Sequence, residues 1–130
     1  MFLPFKAIRN KKGFTLVELI VVMAVLAIIS AIAVPRFLGV QEKAKLDADY
    51  ATGAMIAKAG ELYKAREATI PDPLTAQILI DDEYLNTINF KSEDFQKYDA
   101  TTVQITFDDA GKAIVEGDDG TTTDPLYPRP

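Results

Sequence analysis

Residues 14–34 read FTLVELIVVMAVLAIISAIAV, a run of 21 residues carrying a single charge, Glu18. A helix of about 20 predominantly apolar residues spans the hydrocarbon of a bilayer. Residues 41–130 are polar and acidic overall, a soluble part of about 90 residues whose core is expected to be thin. The chain is therefore expected to divide into an apolar helical part and a separately folded head.

The charge distribution orients the division. Lys6, Arg9, Lys11 and Lys12 precede the run, and no acid accompanies them. A basic flank is retained in the cytoplasm, so the C-terminal part is expected outside. From Gln41 onward there are 18 acids and 9 bases, a net −9. A surface that acidic repels phosphate backbones, which argues against nucleic-acid binding by the subunit. The chain has no cysteine, so no disulfide staples the head.

Two ordinary explanations of the run compete. A conventional secretory signal has a shorter apolar region ending in a small-residue site; here Ser30-Ala31-Ile32-Ala33 imitates such a site only weakly, and the run continues into Pro35-Arg36-Phe37. A plain membrane anchor explains the length and the flanking charges but gains nothing from Glu18. A carboxylate in that position costs about 3 kcal/mol on insertion scales and calls for a specific partner.

The stretch Lys11-Lys12-Gly13-Phe14-Thr15-Leu16-Val17-Glu18-Leu19 resembles the class III signal of type IV pilins and pseudopilins. That family has a short basic leader ending in glycine, then phenylalanine, then an apolar helix with glutamate at the fifth mature position. The likeness covers residues 9–37, extends weakly along the helix to about Tyr63, and says little about residues 70–130. It implies that Gly13 precedes a cut made by a prepilin peptidase, where a residue without Cβ lets a catalytic site approach the backbone. Phe14 becomes the new, usually N-methylated, terminus. Glu18 then pairs with the ammonium of a neighbouring subunit's Phe14, an attraction strengthened in a low-dielectric filament core, and so sets the register between subunits.

The resemblance also implies partners: other copies in a helical homopolymer, the prepilin peptidase/N-methyltransferase, an inner-membrane assembly platform, an assembly ATPase acting indirectly, and minor pilins. The subunit is expected as a single-pass protein of the cytoplasmic membrane before assembly and in a surface filament afterwards. A pseudopilin of a type II secretion or competence system shares the same N-terminal signature. A membrane-anchored domain that never assembles is the alternative of another class.

Helical character continues past Pro35. Ala44, Ala48, Ala51, Met55, Ala59 and Leu62 recur at spacings of three and four and read as the buried face of an amphipathic helix. Lys43, Lys45, Asp49, Lys58, Glu61 and Lys64 are expected mostly elsewhere. One helix from Phe14 to about Glu67 would measure roughly 80 Å. Pro35 lacks the N–H that the carbonyl of Ala31 needs, so a kink or opening is expected. The family often has glycine where Ala27 stands, and alanine favours helix by about 1 kcal/mol. Disruption is therefore expected at Pro35 and Gly39.

Asp72-Pro73 suits an N-cap and first helical position, so a short helix is expected over Leu74–Leu85. Val103, Ile105 and Phe107 alternate with polar residues as in a strand, Asp108–Gly111 is a turn, and a strand returns over Lys112–Glu116. A further strand is expected near Thr87–Lys91, and Gly117–Pro130 reads as loop. The fold class is α+β: a long N-terminal helix packed on a small antiparallel sheet, type IV pilin-like. Its parts are a cleaved cytoplasmic leader (1–13), a transmembrane polymerisation helix (14–34), an amphipathic continuation (35–67) and a small head with a C-terminal loop (68–130). Tyr63, Tyr84, Phe95, Tyr98 and Phe107 read as core or interface residues.

No histidine, no cysteine and only two serines, Ser30 and Ser92, are present. Ser-His-Asp and Cys-His nucleophiles and ordinary zinc sites are thereby excluded. No phosphate-binding G-x-x-x-x-G-K-[ST] loop occurs. The chain reads as the substrate of an enzyme, not as an enzyme. No cofactor is expected; the one candidate is calcium at Asp118, Asp119 and Asp124, since calcium takes oxygen ligands from acidic loops.

Overall fold

A computed structural model describes residues 13–130. The basic leader positions Lys6, Arg9, Lys11 and Lys12 lie outside the described residues. Helix α1 spans Leu16–Arg66, and the chain divides into two units, one ending at Leu38 and one covering Gly39–Pro130. In the first unit every described side chain is exposed.

The expected break does not appear in the secondary structure: α1 is helical through both Pro35 and Gly39. A proline removes one ladder bond, and the helix-compatible residues on both sides keep theirs.

In the second unit, residues 39–66 of α1 pack on a four-stranded antiparallel sheet. Strands β1 (Leu74–Thr75), β2 (Val103–Phe107), β3 (Ala113–Asp118) and β4 (Thr123–Tyr127) lie in the order β1-β2-β3-β4. Helix α2 (Ala76–Asp81) follows β1 directly. The α+β class and the helix-on-sheet arrangement are those the sequence predicts. The turn at Asp108–Gly111 is also present: Gly111 adopts φ +80° and its N–H donates to the Asp108 carbonyl at 2.9 Å.

Of the predicted buried face of α1, only Ala59 is buried. Gly53, Ile56, Ala57, Ala59, Gly60, Tyr63 and Asp49 are buried, whereas Ala44, Ala51, Met55 and Leu62 are exposed and Ala48 is half-buried. Close approach decides the matter. A Cβ on Gly53 would lie 2.6 Å from the Leu126 carbonyl oxygen, and one on Gly60 would lie 2.9 Å from Ile105 Cγ2. The sheet approaches most closely at these two glycines, and Ile56 and Tyr63 on the same face are buried beside them.

Asp49 also departs from expectation. It is 1% exposed and accepts the N–H groups of Lys91 at 2.8 Å and Ser92 at 2.7 Å, plus the Ser92 hydroxyl at 2.5 Å. A buried carboxylate is tolerated when its oxygens are satisfied in this way. The same bonds account for the missing strand at Thr87–Lys91: donors at its end go to α1 rather than to the sheet.

Three further boundaries differ. The short helix begins at Ala76, not at Pro73, because Leu74 and Thr75 pair with Ile105 and Gln104. It also ends at Asp81. The tail expected as loop contains β4. Pro125 lacks a donor but β4 is an edge strand, where proline is tolerated. The register shifts between Val115 and Glu116, which pair with Tyr127 and Pro125. Leu126, left between them, is fully buried.

The core gathers Ile56, Leu74, Leu79, Val103, Val115 and Leu126. Of the aromatic residues singled out in the sequence, Tyr63, Phe95 and Tyr98 are buried, while Tyr84 and Phe107 are half-buried against the core.

Candidate processing and assembly site

The segment begins at Gly13, which is exposed and outside regular structure. A Cβ there would meet nothing within 4 Å. The fold itself thus places no steric demand for glycine at this position. Phe14 follows with 91% of its surface exposed.

Thr15 and Glu18 form a reciprocal pair at the start of α1. The Thr15 N–H donates to Glu18 Oε2 at 2.8 Å, and the Glu18 N–H donates to Thr15 Oγ1 at 3.2 Å. The Leu19 N–H donates to the Thr15 carbonyl at 3.2 Å. This is a capping box, in which two of the donors orphaned at a helix start satisfy each other's residues. The carboxylate also lies at the positive end of the helix dipole. Glu18 therefore has a local partner within its own chain, which the sequence argument overlooked. The signal was present: threonine followed three residues later by glutamate, just before an apolar run.

From Leu16 to Val40 the apolar side chains stand uncovered, among them Leu16, Ile20, Leu26, Ile32 and Phe37. Among the described residues, α1 is the one helix long and apolar enough to cross a membrane. Such a surface requires cover by lipid or by protein. Pro35 and Gly39 lie within it, and a Cβ on Gly39 would meet nothing within 4 Å.

The three acids considered for calcium are engaged with protein donors. Asp118 accepts the Gly120 N–H at 2.8 Å and the Gln104 amide at 3.1 Å. Asp119 accepts the N–H groups of Thr121 and Thr122, which hold its carboxyl well below the usual carboxylate range. Asp124 accepts Lys97 Nζ at 2.8 Å and the Tyr98 hydroxyl at 2.6 Å, and both lower its pKa. Among the described residues no three Asp or Glu side chains are grouped to hold a metal ion.

The prokaryotic N-terminal methylation motif matches residues 8–34, the stretch that contains Gly13, Phe14 and Glu18. The chain is 44% identical over 61 residues to the Prepilin peptidase-dependent protein A of Clostridium perfringens, covering 46% of this chain and 44% of that protein. It is 47% identical over 36 residues to the Type IV wide pilus major component PilA4 of Thermus thermophilus, covering 28% of each. The matches thus span less than half the length of these curated relatives. No solved structure matches significantly. The chain thus carries a prokaryotic N-terminal methylation motif at the head of a long helix, and in part of its length it is similar to a prepilin peptidase-dependent protein and to a type IV pilus component.

Proposed function

We propose that the chain is a prepilin, cut between Gly13 and Phe14 by a prepilin peptidase, methylated at Phe14, and polymerised through its N-terminal helix into a surface filament serving adhesion, motility or DNA uptake. One observation carries the reading. The matched methylation motif ends in an apolar helix whose side chains are uncovered throughout residues 14–40. Lipid covers that surface before assembly, and neighbouring helices cover it afterwards. The names of the two relatives, one dependent on prepilin peptidase and one a pilus component, support the same reading.

On this reading Glu18 serves twice. In the single chain it closes the capping box with Thr15. In the polymer it meets the ammonium that cleavage creates at Phe14 of a neighbour, where an unpaired charge would be costly. The enzymes and motors of assembly are other proteins, so the chain acts as their substrate and building block.

Mass spectrometry of the membrane and filament fractions tests the proposal. The expected mature terminus is N-methylated Phe14. An intact Met1, or a cut elsewhere, overturns the assignment. Electron microscopy of sheared surface material then distinguishes uses of the polymer: long filaments containing the chain support a pilus, and their absence despite correct cleavage supports a secretion or competence pseudopilus.

A further inference from the structure

Within residues 39–130 the exposed large apolar side chains are few: Val40, Met55 and Leu62. Met55 and Leu62 are 58% and 46% exposed, and both line an apolar groove between α1 and the segment Tyr84–Asn86. Seven positions apart, they stand on one face of the helix. At Leu62 and Tyr84 the groove opens onto Glu67, Asp82 and Glu83, with Arg66 as the one cation beside them. The surface is therefore an apolar slot with a net negative end; Lys58, which also lines the slot, is paired with Glu61 at 2.8 Å.

One segment of this same chain has the matching character. On α1 Val40 lies one turn from both Arg36, four positions before it, and Phe37, three positions before it. Phe37 is 66% and Val40 68% exposed. Arg36 takes part in no ion pair among the described residues. Gly39 lies on this turn, with nothing near its Cα side to hold a partner away.

We infer that the Met55–Leu62 groove receives the Arg36–Val40 turn of a second copy of this chain, with Phe37 and Val40 against the apolar slot and Arg36 towards Glu67, Asp82 and Glu83. The inference rests on the polymerising reading above and adds to it a head-borne receptor surface. The docking covers the exposed large apolar side chains of the head and gives Arg36 a counter-charge in one step.

The absence of native cysteine makes crosslinking a clean test. The full chain carrying Phe37→Cys and Leu62→Cys is expressed in its host and treated with a bismaleimide. A ladder of covalent multimers is expected. It should be lost in Phe37→Cys with Asp109→Cys, because Asp109, on the turn between β2 and β3, is not among the residues that line the groove or its acidic end. Adding Arg36→Glu to the first pair should reduce the ladder. Filaments with no ladder from the first pair, or with equal ladders from both pairs, overturn the docking and leave the filament reading standing. A ladder from membrane-resident copies without filaments upholds the docking and overturns the filament reading. Neither ladder nor filaments overturns both.

Discussion

Asp49 on α1 holds Ser92 by two bonds, its Oδ2 accepting the Ser92 N–H at 2.7 Å and the Ser92 hydroxyl at 2.5 Å. The residues are 43 positions apart in the chain. A carboxylate that is 1% exposed therefore fastens the connecting segment after α2 onto the helix. Asp49→Ala leaves the donors of Lys91 and Ser92 without partners and should destabilise the head by about 2–4 kcal/mol. Asp49→Asn should cost less, since one acceptor oxygen remains. Urea unfolding of the detergent-solubilised chain measures both; equal stability of wild type and Asp49→Ala would show that the latch contributes nothing.

The glycines of α1 should respond unequally to alanine. At Gly53 the new Cβ meets a backbone oxygen, that of Leu126, which cannot yield without moving β4. A loss of about 1–3 kcal/mol is expected. At Gly60 the obstacle is a side-chain methyl of Ile105, and the helix gains about 1 kcal/mol from alanine. Gly60→Ala should therefore be the milder of the two but still destabilising, because that methyl is fixed to the Cβ of a buried strand residue. Melting temperatures of the two variants check the ranking.

The C-terminal hairpin should be weakened at both extremes of pH. Hydrogen bonds from Thr122 and Thr121 lower the pKa of Asp119, and Lys97 with Tyr98 lowers that of Asp124, both from an ordinary 3.8. A carboxyl with a depressed folded pKa contributes stability above its unfolded value, and loses it as pH falls through the folded value. Lys97 is raised from 10.5 by Asp124 and then Tyr98. Its contribution is complete below 10.5 and is lost as pH rises through the raised value. Protection factors of β4 amides against hydrogen exchange should fall below about pH 4 in wild type, and less so in Asp124→Asn.

Thr15→Ala and Glu18→Ala should separate capping from assembly. Both open the capping box, at about 1 kcal/mol in the first turn. Glu18→Ala also removes the carboxylate proposed to meet a neighbour's terminus. Insertion and cleavage should survive in both variants, while filament yield falls sharply only for Glu18→Ala. Equal yields from the two variants would reduce Glu18 to a helix cap.

Gly13→Val should leave the fold untouched, since its side chain meets no neighbour in the described structure. Precursor should nonetheless accumulate in the membrane. Normal processing, read by mass spectrometry, would remove Gly13 from the cleavage site.

The N-terminal third of the chain was legible because its signals are local. Length and hydropathy select a helix; the cap between Thr15 and Glu18 that starts it is equally local but became evident only in the structure. The same holds for β2 and β3, where period-two alternation flanks a glycine turn. The sequence alone therefore determined the long helix, the central hairpin, the α+β class and the likeness of residues 9–37 to prepilins. The buried face of α1 and the identity of β4 depended on tertiary contact. Alanines line both sides of residues 44–62, so hydropathy could not choose between them; the choice fell to Gly53 and Gly60, where β4 and β2 come closest. Pro125 reads as a strand breaker until its strand is seen to be an edge. Asp49 reads as a solvated charge until the backbone of Ser92 is brought to it. For Gly53, Gly60 and Asp49 the deciding partner is more than forty residues away, and only the packed structure supplies it.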